Sequence, residues 1–143
     1  MKITYRQALK EDFAYLFSLR KESMTPHLEA EGVLLDDADH VRRIEYRFDC
    51  AKIILVDGAI GGLVKVVEEG NDWELIQIQI DACLRGQGIG KRVITDILER
   101  AFSKGASVKL SVFRSNPAKE LYQRLGFKPY LDTLTTYEMR ATT

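Results

Sequence analysis

The chain of 143 residues has no surplus of either charge: Lys and Arg total 21 and Asp and Glu total 21, for a formal net charge of +0. That balance excludes the bulk attraction that draws basic proteins to nucleic acid or to anionic membrane surfaces. Cysteine is scarce; Cys50 and Cys83 are too few for a disulfide framework. His27 and His40 make no metal-ligand spacing, so no metal is expected. No apolar run approaches the ~20 residues of a membrane span, and polar and apolar residues alternate from Lys2 where a signal segment would be apolar. Repeats and low-complexity tracts are also missing. The expectation is a cytoplasmic protein whose residues 1–143 form one domain with a real core.

What is present is a run of short, well-punctuated elements. Lys2 to Ala8 alternates as an opening strand, and Glu11 to Met24 follows as a helix with Phe13, Leu16, Phe17 and Arg20 or Met24 along one stripe. Pro26 should close that helix, leaving Thr25 to Leu35 as a loop. A second helix is expected from Asp37 to Asp49, with Val41, Ile44 and Phe48 inward and Arg42, Arg43 and Arg47 outward. Strands at Lys52–Val56 and Ala59–Glu68 flank Asp57-Gly58, a strong hairpin signal. A turn at Glu69 to Asp72 leads into a strand from Trp73 to Asp81. After it come a helix ending before Gly105, a strand at Val108–Phe113, a helix at Pro117–Leu125, and strands near Phe127–Leu131 and Leu134–Arg140. Antiparallel strands first, then strands linked through helices, predict an α/β (α+β) fold, a mixed and mostly antiparallel sheet of about seven strands flanked by about four helices.

The most informative stretch is Arg85-Gly86-Gln87-Gly88-Ile89-Gly90-Lys91. It follows an apolar run ending at Ile80 and opens an amphipathic helix with Val93, Ile94, Ile97, Leu98, Ala101 and Phe102 on one face. Glycine lets the backbone bend tightly and approach a ligand. The first N–H groups of a helix have no intrahelical partner and carry partial positive charge. Strand, glycine loop and helix start together suit phosphate oxygens, with Arg85 and Lys91 adding charge at the rim. A P-loop is excluded, since Arg85 stands where its first glycine belongs and Arg92, not Ser or Thr, follows Lys91. A dinucleotide fingerprint fails too, because its third glycine would fall on Lys91.

Arg85, Gly88 and Gly90 do satisfy R/Q-x-x-G-x-G/A. Downstream lie Asn116-Pro117-Ala118, Leu121-Tyr122 and Leu125-Gly126-Phe127. Both segments, and the order of elements from Met1 to about Arg140, resemble the GNAT acetyltransferases. The resemblance implies acetyl-CoA as co-substrate, its pyrophosphate on the backbone of Arg85, Gly86, Gln87, Gly88, Ile89, Gly90 and Lys91. It implies that backbone groups of Ile78, Gln79 and Ile80 meet the pantetheine and the acetyl carbonyl. It also puts Tyr122 beside the CoA sulfur and Asn116 against the pantetheine arm. Each has a plainer explanation: Ala118, Leu121, Tyr122 and Leu125 form a helical stripe, and Asn116 before Pro117 is a helix cap.

Moving an acetyl group from a thioester to an amine requires the amine to lose its proton, an oxyanion donor, and help for the departing thiolate. Tyr122 is the candidate acid and Glu74, at the start of its strand, the candidate base. A carboxylate just after a turn is also an ordinary solvated strand end, and Gln77 and Gln79 could order a water instead. For the acceptor, the resemblance points to the first two helices and their connection, which offers His27, Glu29 and Glu31; acidic groups would suit a cationic amine. Tyr137 is a further candidate to face the pocket. Cys83 has no neighbouring histidine and reads as inert. The expected activity is N-acetyl transfer by direct attack on a small-molecule, peptide or protein amine, by a monomer or homodimer without nucleic-acid or membrane partners. A catalytically silent acyl-CoA-binding module is the alternative from another class.

Overall fold

A computed structural model describes residues 1–33 and 35–143; Leu34, within the expected loop, lies outside the described residues. In chain order the elements are β1 (Ile3–Gln7), α1 (Phe13–Ala30), α2 (Asp37–Glu45), β2 (Ala51–Val56), β3 (Ala59–Val67), β4 (Asp72–Ile80), α3 (Ile89–Ser103), β5 (Ser107–Phe113), α4 (Ala118–Arg124), β6 (Lys128–Asp132) and β7 (Thr136–Ala141). The seven strands form one sheet in the order β1-β2-β3-β4-β5-β7-β6. Every pairing is antiparallel except β4–β5, so the sheet is mixed as expected.

Local chemistry accounts for most of these elements. Asp57 and Gly58 both take positive φ, 52° and 85°, the backbone a two-residue hairpin needs to match strand twist. The Asp36 side chain accepts from Asp39 N–H at 2.8 Å while Asp39 reaches back to Asp36 N–H at 3.1 Å, a reciprocal cap that starts α2. One face of the sheet packs under α3 and α4, with Val64, Val66, Trp73 and Leu75 against Val93, Ile97 and Leu98. The other face packs Ile53 and Leu63 against Leu16, Leu19 and Ile44 of α1 and α2.

Two helices depart from expectation. Pro26 does not close α1, which runs on to Ala30. A helical proline removes one hydrogen bond at a cost of about 3 kcal/mol; burial of Leu28 beyond it, with Val33 N–H closing on Leu28 C=O at 2.8 Å, favours continuing. His27 and Glu29, expected in a loop, are therefore helical. The helix α2 stops at Glu45, four residues short of Asp49, and Arg47 is left-handed at φ 48°. The cause is Lys65 on β3: its buried ammonium donates to the C=O groups of Arg43, Ile44 and Tyr46 at 3.1, 3.0 and 2.6 Å. Those carbonyls end the helix on a side chain.

Candidate active site

Two irregularities in β4 create the cleft. Lys65 pairs with Gln77 while Val66 pairs with Leu75, so Ile76 is an extra residue, a β-bulge. The alternation changes phase there: Trp73 and Leu75 face α3, but so do Ile78 and Ile80, which turns Gln77 and Gln79 toward α1 and α2. The parallel ladder to β5 holds only Asp72↔Ser107, Trp73↔Val108 and Glu74↔Lys109. Beyond Glu74 the two strands part, and alternate backbone groups of Leu75 to Ile80 face the gap.

The gap holds two adjoining chambers. The first, about 320 Å³, lies between α1, the end of β4, the start of α3 and α4, and is lined by His27, Ile78, Gln79, Ile80, Arg85 and Gly90 among others. The second, about 410 Å³, opens between β4 and β5 and reaches Arg20, Arg43, Ser111 and Thr136. Met24, Ile78, Gln79, Asn116 and Tyr122 line both. A larger hollow of about 670 Å³, around Tyr5, Cys50 and Asp96, shares no residue with either chamber.

The loop leading into α3 has the backbone features an anion seat requires. Gly86 and Gly88 take φ of 80° and 79°, where a side chain is strained, and Gly88 caps the helix by accepting Arg92 N–H at 3.1 Å. The N–H groups of Gly86, Gln87 and Gly88 donate to no acceptor among the described residues. Those of Ile89, Gly90 and Lys91 are in the first helical turn, where no intrahelical acceptor exists. Gly90 lies against Ile80, whose Cγ1 is 4.0 Å from where a Cβ would stand. These residues fit a pyrophosphate followed by an extended arm along β4.

Arg85 does not extend toward that seat. Its guanidinium grips Glu22 of α1 at 2.8 and 2.5 Å, Ser23 at 2.9 Å and the Ile80 C=O at 2.9 Å. The side chain thus braces the loop against α1, its charge answered by Glu22, whose carboxyl is held below its ordinary range by the arginine.

Asn116 is a cap as the sequence indicated: its Oδ1 accepts Ala118 N–H at 2.9 Å. Gly126, at φ 103°, turns the chain so that Phe127 N–H closes on Tyr122 C=O at 3.0 Å, and the Phe127 ring meets Tyr122 edge-on with centroids 5.7 Å apart. The L-Y-x-x-L-G-F segment is thus a device for fixing one tyrosine. Burial alone pushes its hydroxyl up to about 12, which makes it a weaker acid and a persistent hydrogen-bond donor.

Other expected residues lie elsewhere. Glu74 occupies the last paired rung and does not line either chamber. Glu29 is exposed on α1, and Glu31 accepts Ser115 N–H at 2.9 Å, tying α1 to the loop after β5. Tyr137 packs beneath Lys119, whose Nζ is 3.7 Å from the ring centroid, and accepts from Arg114. Cys83 is exposed, and its thiol donates to Asp81 at 3.1 Å, which raises its pKa. Sequence reasoning missed Arg20 and Arg43 as chamber residues. The signal for Arg20 was present: a cation four residues after Leu16, in line with an apolar stripe.

Residues 13–127 match the Acetyltransferase (GNAT) family. No curated protein sequence matches the chain. Among solved structures, the PaiA N-acetyltransferase of Thermoplasma acidophilum in complex with coenzyme A is 18% identical over 100% of both chains, with a TM-score of 0.76. An acetyltransferase from Thermus thermophilus is also 18% identical, over 100% of this chain and 98% of its own, at 0.77. Ard1 from Thermoplasma volcanium is 17% identical over 100% and 99%, at 0.73. With most of its length in that match, its seven-stranded sheet split between β4 and β5, and a glycine loop opening α3, the chain belongs to the GNAT acetyltransferase family.

Proposed function

We propose that the protein is an acetyl-CoA-dependent N-acetyltransferase that works by direct attack in a ternary complex. The observation that carries this is the chamber in which Gly90 of the glycine loop, the open edge of β4 and Tyr122 come together, next to loop N–H groups that have no acceptor among the described residues. The pyrophosphate seats on the loop and the pantetheine runs past Asn116 and along Ile78, Gln79 and Ile80. The thioester then lies beside Tyr122, where the two chambers meet.

In the transfer, the amine nitrogen lone pair forms the new C–N bond, a β4 backbone N–H steadies the oxyanion, and the C–S bond breaks. The sulfur leaves as thiolate. A thiol has an ordinary pKa near 8.5, well below that of buried Tyr122, so the tyrosine proton stays largely on oxygen. Tyr122 stabilises the leaving group by a hydrogen bond, and solvent completes its protonation. The amine proton passes to water held at the Gln77 Oε1, which is buried and has no partner among the described residues. Glu74 is the rival base, one residue below the opening. Arg20 and Arg43 disfavour a charged amine in their chamber, which lowers the demand on any base.

One observation favours a second reading, a silent acyl-CoA-binding module: no carboxylate among the described residues lines the second chamber, which would take the acceptor amine. One pair of measurements separates the two. At 100-fold over its Kd, acetyl-CoA should add about 2.7 kcal/mol to stability, a rise of several degrees in Tm. CoA release on adding a panel of primary amines then identifies the enzyme; binding without release to any amine identifies the module. Cys83→Ala should keep full turnover, and an acetylated-protein intermediate in intact-mass spectra would overturn direct attack.

A further inference from the structure

Arg20 is the anomaly of the acceptor chamber. It is 7% exposed, projects from α1 into the chamber, and its guanidinium makes no hydrogen bond among the described residues; its Nε is fully buried and unpartnered. A buried arginine is normally paired, because removing the charge from water costs several kcal/mol that only a partner offsets. The groups around it are the wrong sign. Arg43 lines the same chamber and Lys65 and His40 are close enough to be felt electrostatically, with no carboxylate acting on it among the described residues. Lys65 is satisfied by three carbonyls and His40 is held neutral by burial. Burial pushes Arg20 down to about 10, so it remains cationic at neutral pH.

Such a residue lowers stability in the absence of a ligand, and no side chain among the described residues pairs with it. We infer that the acceptor is an amine that also carries a carboxylate, and that the carboxylate seats on the Arg20 guanidinium with Arg43 at the mouth of the chamber. This rests on the acetyltransferase reading above. A planar guanidinium is matched to a carboxylate by two parallel hydrogen bonds. Anchoring the acid end at α1 leaves the amine directed toward the thioester at Tyr122, and a volume of about 410 Å³ suits a free amino acid. The same charge argues against polyamines and other dications, contrary to the expectation raised by Glu29 and Glu31. The carboxylate takes no part in the bond exchange.

The test compares the free amino acids with the same compounds as carboxamides, reading CoA release from acetyl-CoA. Carboxylates should react with a kcat/KM at least about tenfold higher, the worth of one charge-assisted hydrogen bond. Arg20→Met should abolish that preference, keep the Tm rise with acetyl-CoA, and melt at or above the parent temperature, since it removes an unpaired buried charge. A merely structural Arg20 would do the reverse, lowering Tm and keeping the preference. Should the variant not fold, calorimetry on the parent with CoA present decides: N-acetyl amino acids should bind more tightly than their amides. Carboxamides that react or bind as well as carboxylates overturn the inference alone. Failure of acetyl-CoA to bind, with no amine acetylated, removes the acetyltransferase reading together with it.

Discussion

Tyr122 and Glu74, the two candidate catalytic side chains, are placed differently, one by packing beside the cleft and one on the last paired rung below it. Tyr122 is held by the Gly126 turn and the edge of Phe127, with its hydroxyl protonated at any ordinary pH. Tyr122→Phe should lower kcat by about 10- to 100-fold, the worth of a hydrogen bond to a developing charge, at every pH, because sulfur departure does not depend on the amine's proton. Steady-state kinetics from pH 6 to 10 check this; a loss confined to one end of the range would assign Tyr122 another task. Glu74→Gln makes the opposite test. If Glu74 accepts the amine proton, kcat should fall by roughly 10²–10⁴-fold, and less at high pH where amine arrives neutral. Parental kcat throughout would leave the proton to water at Gln77. Lys65 is a residue of stability instead: Lys65→Met orphans the carbonyls of Arg43, Ile44 and Tyr46 and should cost about 1–3 kcal/mol, read by urea unfolding.

At the scale of elements, the cleft depends on β4 being held to β3 while it parts from β5. Gly62 permits the close approach on the β3 side: a Cβ there would stand 2.3 Å from the Gln79 carbonyl oxygen. Backbone cannot yield as a side-chain tip can, so Gly62→Ala should push β4 outward, lowering Tm by several degrees and weakening acetyl-CoA binding together. An alanine variant with unchanged melting would mean that β4 is free to shift. Gly88→Asp should behave differently. It adds a negative charge at the proposed anion seat and strains φ 79° only modestly, since Asp tolerates left-handed backbone. Acetyl-CoA should then no longer raise Tm, although the apo variant melts within a few degrees of the parent. Equal CoA affinity in calorimetry would remove the pyrophosphate from this loop.

Over the whole molecule, charges cancel in number but not in place. Opposite charges meet at seams between elements, as where Arg6 grips Asp12 at 2.8 and 2.9 Å beneath the start of α1. The arginine holds the Asp12 carboxyl below its ordinary range, so its contribution is present above the unfolded pKa near 3.9 and is lost as pH falls through the lower folded value. Asp12→Asn should therefore cost about 1–2 kcal/mol at pH 7, and the gap to the parent should narrow below pH 4 in thermal melts. Much of the architecture was legible from local causes. Asp57-Gly58 dictates a turn, and alternating glycines open a helix. These are properties of neighbours along the chain, which a sequence states directly. The bulge at Ile76 emerged only from the pairing of β4 with β3. Contacts across long separations were not legible: Lys65 ending α2 and Glu22 claiming Arg85. Nor was the surrounding of Arg20, an ordinary helical residue until β4, β5 and α2 close round it without supplying a carboxylate. The sequence determined most of the elements and the glycine loop that opens α3, because their energetics are local. The tertiary structure decided the charge lining the chamber around Arg20, because the field inside a cleft is a sum over residues that only folding brings together.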